Sequence, residues 1–354
     1  MKSADGKRLF TAVLLLALAL ALTALFTLLP AGSGEEPPAE EPQPTSEPTS
    51  APSPAPTPSP TPEPTPARVY SGVWGEKYAD RFTEGEVVQS ENGYRSANIS
   101  VTLERVEEDG VIYYVADVYV SDLDYLRCGF GRGKYKGGSQ YIEDLSRDVG
   151  AIVAVTGDHY AGRSQGIVIR NGVSYRSKRL RDVCILYRDG RMETLEDREL
   201  DLDALAEAEP WQVWSFGPGL LDAEGHAKTF LDGQSNVLNV NVKNPRCAIG
   251  YYEPGHYCLV KVEGNRWHKF IGSYGMTFSE MAKMFEELGC VRAYALDGGR
   301  SAAMSWLGEF LCTNYERGSF DIVYIADTPV VADTPVIADE PKAAEMQTLQ
   351  ESEG

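Results

Sequence analysis

The segment that organises the fold is Val291–Met304, which reads V-R-A-Y-A-L-D-G-G-R-S-A-A-M. Its apolar first half predicts a short buried strand that ends at Asp297. Gly298 and Gly299 follow, and glycine lets backbone N–H groups approach an anion or a sugar oxygen. The pattern therefore places a carboxylate beside bare backbone at the end of a strand. A tight turn with Asp as the turn former is the alternative interpretation.

The same local pattern occurs twice in the chain. In each copy a helix ends at glycine, an apolar strand follows, and the strand ends at an aspartate beside glycine. The first helix is predicted to be capped by Ser139, and its strand leads to Asp158. The second opens with the capping box of residues 277–280, and its strand leads to Asp297. If the two strands are parallel neighbours in one sheet, both carboxylates lie at one rim, as glycoside cleavage requires.

The N-terminus has the pattern of a membrane anchor. Basic residues in the first eight positions precede an apolar run, Leu9–Leu29, that is long enough to cross a bilayer as a helix. Residues 1–30 are therefore predicted to be a retained single-pass anchor in the cell membrane, with the remainder on the extracytoplasmic side. A signal peptide cleaved near Ala31–Ser33, which would give a secreted protein, is the alternative.

Composition divides the rest of the chain into three parts. Residues 31–67 are dominated by Pro, Glu, Ser, Thr and Ala, which predicts an extended polyproline stalk. Residues 68–326 have the mixed composition of a globular domain. Residues 327–354 form an acidic tail with three consecutive six-residue repeats, each containing proline, and are predicted to be extended.

The net charge excludes one class of partner. The formal charge is −19 and the pI is about 4.7, and no basic stripe of the kind that follows a phosphate backbone is visible. Nucleic acid is therefore not an expected partner. The expected partners are a glycan substrate and, through the N-terminal helix, the membrane.

Cysteine and histidine spacing does not predict a metal centre. The six cysteines form no C-x-x-C pair, and no H-E-x-x-H pattern is present, so no transition metal or other cofactor is expected. Calcium held by Asp side chains and carbonyls stays open as an alternative. The cysteines could form disulfides or stay as buried thiols.

Residue alternation predicts a sheet-rich domain. Residues 97–106 and 111–120 alternate around Asp109-Gly110, and further hairpins are predicted at Asn171-Gly172 and Asp189-Gly190. With only a few short helical segments between them, the expected class is α+β. The expected architecture is a mixed, twisted β-sheet with a few helices in a single catalytic domain.

A series of segments resembles the phosphodiester glycosidase family, from about Val149 to Ile325. The segments that carry the resemblance are A-V-T-G-D-H-Y, G-I-V-I-R-N-G-V-S-Y-R, W-S-F-G-P-G-L-L, N-P-R-C-A-I-G, G-M-T-F-S-E-M-A-K-M-F-E-E-L-G-C, A-L-D-G-G-R-S-A-A-M and E-R-G-S-F-D-I-V-Y-I. Each motif alone is weak, but their order and spacing are fairly specific. The resemblance implies an α+β catalytic domain that acts on phosphodiester-linked sugars.

The resemblance also implies a set of site residues. Asp297 and Asp158 are the expected catalytic carboxylates. The expected substrate-binding residues are Gly157, His159, Arg246, Gly298, Gly299, Arg300 and Ser301. Arg246 is the expected phosphate ligand, and His159 is either a general acid–base or a structural histidine. The chain departs from the family pattern at Thr156, Arg300 and Asn265.

The implied reaction is hydrolysis of a sugar-1-phosphodiester in a cell-surface or exported glycan. Cleavage at the glycosidic C–O bond releases the sugar and a phosphomonoester. The departing phosphate is a weak base, so it needs less acid assistance than an ordinary glycoside. Two alternatives remain: a non-catalytic module that binds glycan or organises the envelope, and a phosphodiesterase that cuts the phosphorus–oxygen bond.

Overall fold

The computed structural model describes residues 72–230, 240–264, 273–311 and 317–328. All of them belong to one compact unit, Thr65–Gly354, and a second unit, Met1–Pro64, lies outside the described residues. The predicted anchor, the stalk and nearly all of the acidic tail also lie outside them. Within the described part of the chain, no helix combines the length and apolar character that a membrane span needs.

The described residues contain three α-helices, α1 (Ile142–Asp148), α2 (Leu202–Glu207) and α3 (Phe278–Glu287). The strands are β1 (Val88–Gln89), β2 (Gly93–Arg95), β3 (Ile99–Glu108), β4 (Val111–Val120), β5 (Leu126–Phe130), β6 (Val153–Thr156), β7 (Gly166–Arg170), β8 (Val173–Lys178), β9 (Val183–Leu186), β10 (Met192–Leu195), β11 (Gln212–Trp214), β12 (Arg246–Glu253), β13 (His256–Val262), β14 (Arg292–Ala295), β15 (Met304–Trp306), β16 (Glu309–Phe310) and β17 (Asp321–Ile325).

The strands form three sheets. The largest has seven strands in the order β1-β2-β3-β4-β13-β12-β14, and two five-stranded sheets follow the orders β10-β9-β11-β7-β8 and β16-β15-β6-β17-β5. The sheet-rich α+β class with few helices and a single domain is confirmed. Every strand pair of these sheets is antiparallel rather than part of a mixed sheet, because short connections join many neighbouring strands.

Turn residues account for the hairpins. Asp109 and Gly110 between β3 and β4 have φ of 49° and 73°, and Asn171 and Gly172 between β7 and β8 have φ of 53° and 78°. Positive φ at both central residues gives the turn whose twist matches antiparallel strands, and Asp-Gly and Asn-Gly adopt it at little cost. Both predicted hairpins are confirmed, as is the one at Asp189-Gly190.

The core lies between the sheets and beneath α3. Phe278, Met281 and Phe285 of α3 are buried in a cluster with apolar residues of β12, β13 and β14. The predicted capping box is present, because Thr277 accepts from the Glu280 N–H and the Glu280 side chain accepts from the Thr277 N–H. The predicted cap at Ser139 is wrong. Helix α1 begins after Tyr141, which makes no side-chain cap.

The two strands that lead to the aspartates belong to different sheets. Strand β6 is flanked on both sides by β15 and β17, and β14 is the edge strand of the seven-stranded sheet beside β12. The expected parallel pairing is therefore wrong, since both flanks of β6 are already occupied. The ends of the two strands nevertheless meet, because the Asp297 N–H donates to the Gly157 carbonyl at 2.8 Å.

Candidate active site

Asp297 is a mostly buried carboxylate at the junction of two sheets. Its side chain is 10% exposed. One carboxylate oxygen accepts from the Gly298 N–H at 3.0 Å, and the other lies 3.5 Å from both His159 Nδ1 and Arg317 Nη2. The carboxylate is therefore held by bare backbone on one side and faces an imidazole and a guanidinium on the other.

His159 is positioned by a glycine and an aromatic ring. A Cβ at Gly162 would collide with the His159 imidazole, so the ring packs directly on that backbone. The Phe320 ring lies 5.2 Å away between centroids. The side chain keeps 27% exposure. These contacts hold the imidazole beside Asp297 while leaving part of it open to solvent, as a group that moves protons requires.

Asp158 occupies a different environment, although it lies one residue from His159. Its side chain is 1% exposed. It accepts from Arg163 Nη2 at 2.9 Å and from the Ser215 N–H at 3.0 Å, and Arg170 Nη2 lies 3.8 Å away. The carboxylate is enclosed by cations and backbone, which suits support of the surrounding segment more than direct contact with a substrate.

A buried ion pair that the sequence reasoning missed lies beneath Asp158. Arg170 Nε donates to Asp321 at 2.7 Å, and the Asp158 N–H donates to the same carboxylate at 2.5 Å. A Cβ at Gly157 would collide with that carboxylate, so the glycine is needed here for Asp321. The sequence feature that indicates this pair is a single charged residue in each of two apolar strands, Arg170 in G-I-V-I-R and Asp321 in F-D-I-V-Y-I.

Burial and mutual attraction shift the pKa values of this pair. Burial raises the pKa of Asp321 to about 6, against the opposing attraction of the Arg170 guanidinium. Burial alone would lower the pKa of Arg170, but the neighbouring Asp321 carboxylate keeps it above the usual range. Arg170 therefore stays charged, and its guanidinium serves both Asp321 and Asp158.

Arg246 is buried behind the glycine turn. It donates from Nε to the Met276 carbonyl at 3.1 Å and from Nη2 to the Val242 carbonyl at 2.8 Å, and its guanidinium lies 3.8 Å from the centroid of the Phe278 ring. Burial lowers its pKa to about 10. Its backbone lies against Gly298, so this segment supports the turn after Asp297.

The residues after Asp297 form a short 3₁₀ turn at Gly299–Ser301 that is tied to Arg317. Arg317 Nε donates to Ser301 Oγ at 2.8 Å, and the Arg317 N–H donates to the Arg300 carbonyl at 3.0 Å. The Arg317 side chain is 43% exposed. An arginine held between Ser301 and Asp297 is well placed to bind a phosphate. Arg317 lies in the segment E-R-G-S-F-D-I-V-Y-I, which carries the family resemblance, but the sequence pattern does not predict it as a site residue.

Across the described ranges, no group of three or more His, Cys, Asp or Glu side chains could hold a metal ion. The five cysteines within those ranges are buried and free. Cys312 and Asn265, which bear on the open disulfide question and on the family pattern, lie outside the described residues.

Comparison with known proteins identifies the family of this chain. A family model described as phosphodiester glycosidase matches residues 149–327, about half of the chain. A curated relative, the SPbeta prophage-derived uncharacterized protein YomE of Bacillus subtilis, is 29% identical over 168 residues. That match covers 46% of this chain and 25% of the relative, so the chain spans about a quarter of it.

Two solved structures share the fold. One is the catalytic domain of zebrafish N-acetylglucosamine-1-phosphodiester alpha-N-acetylglucosaminidase, auto-inhibited by its pro-peptide. It has a TM-score of 0.52 and 18% identity, over 65% of this chain and 83% of that one. The other is a hypothetical protein from Synechocystis, with a TM-score of 0.50 and 15% identity, over 65% of this chain and 62% of that one.

Proposed function

This chain belongs to the phosphodiester glycosidase family, and on that premise we propose that it hydrolyses a sugar-1-phosphodiester at the glycosidic C–O bond. The observation that carries the proposal is the Asp297 carboxylate, 10% exposed, between His159 and Arg317. A carboxylate, an imidazole and a guanidinium at one point provide a base or nucleophile, a proton carrier and an anion ligand. The products are the free sugar and a phosphomonoester.

The residues have distinct roles in this reaction. Asp297 either activates a water molecule that attacks the anomeric carbon, or attacks that carbon itself to form a glycosyl ester that water then hydrolyses. In both routes the bond from the anomeric carbon to the phosphate oxygen breaks. The electron pair leaves with the phosphate, which is already a weak base. Arg317 holds the phosphate through charge-assisted hydrogen bonds. His159 carries the proton lost by water, since its ring lies beside the Asp297 carboxylate.

Asp158 takes a supporting role in this proposal. With its carboxylate 1% exposed and bonded to Arg163 and Ser215, it orders the loop that carries His159. Asp158 is thus a positioning residue rather than a second catalytic carboxylate. Arg246 and Gly298 act in the same way on the other strand end, by shaping the turn that presents Asp297.

The substrate is proposed to be a glycan outside the cytoplasm. Support comes from the apolar segment Leu9–Leu29 and the proline-rich segment after it, which predict an exported, membrane-anchored domain. The zebrafish structure supports the fold of the proposed enzyme, and its name suggests α-linked N-acetylglucosamine 1-phosphate as the first sugar to test.

The test uses the full-length chain purified in detergent and a panel of sugar-1-phosphate methyl diesters. Release of free sugar is measured for the unaltered protein, for Asp297→Asn, and for Asp80→Asn as a matched control at an exposed surface carboxylate. We expect release that is lost only in Asp297→Asn. In ¹⁸O-labelled water the label should enter the sugar. Label in the phosphate would instead indicate phosphorus–oxygen cleavage, and saturable binding without release would favour the non-catalytic module.

A further inference from the structure

An open groove adjoins the candidate active site. It has a volume of about 900 Å³, and its walls include Arg132, Gln140 and Tyr141 on one side and Arg317 and Gly318 on the other. Arg317 also lies 3.5 Å from the Asp297 carboxylate. The groove therefore begins at the residue proposed to hold the phosphate and extends away from the carboxylate.

One wall of the groove belongs to a basic loop, defined here as residues 131–138, G-R-G-K-Y-K-G-G. Arg132, Lys134 and Lys136 are all exposed. Among the described residues, none of these three side chains forms an ion pair with a carboxylate, although Lys136 lies over the Tyr135 ring. Three such cations within five positions contrast with a chain whose net charge is −19.

The basic loop is held in a defined shape. Arg132 has φ of 59°, a left-handed conformation that is uncommon outside glycine. Its N–H donates to Gln140 Oε1 at 2.7 Å, and Gln140 Nε2 donates to Asp148 of α1 at 2.7 Å. A Cβ at Gly131 would collide with the Gly138 carbonyl, so the arms of the loop pack backbone to backbone. The Arg132 side chain is thus presented from an ordered base.

Hydrogen bonds join this loop to the site. The Gly131 N–H donates to the Phe320 carbonyl at 2.8 Å, and Gln140 and Ser319 exchange backbone hydrogen bonds at 3.0 and 2.9 Å. Phe320 in turn packs beside His159. The segment that contains Arg317 and Phe320 therefore lies between the reaction centre and the loop.

The groove also contains two carboxylates, and each has a partner on the same wall. Asp144 pairs with Arg147 Nη2 at 2.7 Å, and Asp148 accepts from Gln140. The Gln140 amide is neutral, so Asp148 keeps its charge. The three cations of the basic loop and Arg317 nevertheless outnumber the two carboxylates. A neutral ligand would leave the Arg132 guanidinium without a charged partner, whereas an anionic one would satisfy it.

We propose that this groove binds the aglycone of the substrate, and that the aglycone carries an anionic group of its own, such as a second phosphate, which Arg132 recognises. The inference rests on the proposed function and deepens it, because it gives the chemical class of the aglycone that the phosphate links to the sugar. Residues 132–148 precede the segment that the family model matches, 149–327. This wall is thus supplied by chain outside the matched segment, which suits a determinant of specificity for this protein.

Two substrates that differ by one phosphate test the proposal. Both carry α-N-acetylglucosamine 1-phosphate in diester linkage, one to glycerol and the other to glycerol phosphate. The full-length chain should show a kcat/KM about tenfold higher for the glycerol phosphate diester at low salt. Arg132→Ala and Arg132→Gln should remove that preference, by lowering kcat/KM for the glycerol phosphate diester about tenfold relative to the glycerol diester. Arg198→Ala, at an exposed arginine outside the groove, should leave the preference unchanged.

The possible outcomes distinguish the anionic-aglycone proposal from the glycosidase proposal. Equal cleavage of both diesters, or a preference that survives in both Arg132 variants, would overturn the inference and leave the glycosidase proposal intact. If neither diester is cleaved, calorimetric titration of the same two compounds decides. Tighter binding of the glycerol phosphate diester that depends on Arg132 would support anion recognition in the groove and contradict the proposed glycosidase activity. The absence of such binding would reject both.

Discussion

Replacing the two aspartates by asparagine should separate a structural carboxylate from a catalytic one. In Asp158→Asn, the new amide keeps one acceptor but directs an N–H group at either Arg163 or the Ser215 N–H, both of which are donors. It also leaves Arg170 with Asp321 as its remaining close carboxylate. Removing one partner of a buried charged pair costs about 3 to 5 kcal/mol.

Asp297→Asn should cost much less. The new side-chain oxygen can still accept from the Gly298 N–H, and the 3.5 Å interaction with Arg317 involves a guanidinium that is 43% exposed. A pair of that exposure contributes up to about 1 kcal/mol. At roughly 2 to 4 °C per kcal/mol for a domain of this size, Asp158→Asn should lower Tm by about 6 to 20 °C and Asp297→Asn by a few degrees.

The assay pairs thermal unfolding, followed by circular dichroism, with sugar release below the transition. We expect Asp297→Asn to be folded and inactive, and Asp158→Asn to be destabilised but partly active at low temperature. The opposite result would be an Asp158→Asn variant that keeps the Tm of the unaltered protein and loses activity as completely as Asp297→Asn. That result would restore Asp158 as the second catalytic carboxylate, the role that the sequence pattern first suggested.

Four further outcomes follow from named contacts. Gly162→Ala should displace the His159 ring and lower kcat by about tenfold or more, measured with KM to separate it from weaker binding. Arg317→Ala should lower kcat/KM by about tenfold to a hundredfold, with partial recovery in Arg317→Lys and no change in Arg198→Ala. In native protein the five described cysteines should resist a thiol reagent and react in urea, because they are buried. Burial raises the pKa of Asp321 to about 6, above its unfolded value of about 4. The stability contributed by its proton is therefore complete below about pH 4 and is lost as the pH rises through 6. The urea midpoint of the unaltered protein should fall across that range, and in Asp321→Asn this dependence on pH should be absent.

Local sequence was enough to predict most of the hairpins and the main helix. Asp109-Gly110 and Asn171-Gly172 adopt the positive φ values that two-residue hairpins need, and Thr277 and Glu280 close the predicted capping box. These features depend on residues within a few positions of one another. The failure at Ser139 has the same origin, because a capping residue is a local preference that several neighbouring positions can satisfy.

The candidate site was predicted in part, since a carboxylate at a strand end followed by two glycines is also a local feature. Asp297 and His159 lie together, but Asp158, which has the same pattern, is enclosed by Arg163 and Ser215. No local rule distinguishes the two aspartates. Their difference depends on which side chains arrive from distant strands.

The sequence by itself determined the antiparallel hairpins, the ends of α3 and the position of Asp297 after a buried strand, because turn and cap energetics act over a few residues. Tertiary structure alone decided that β6 and β14 lie in separate sheets, that Asp321 and Arg170 pair beneath Asp158, and that Arg317 reaches Asp297. Those arrangements join residues far apart in the chain. They arise because every buried charge must find a partner and each sheet edge has room for one strand, and these requirements are met only when the whole domain is packed.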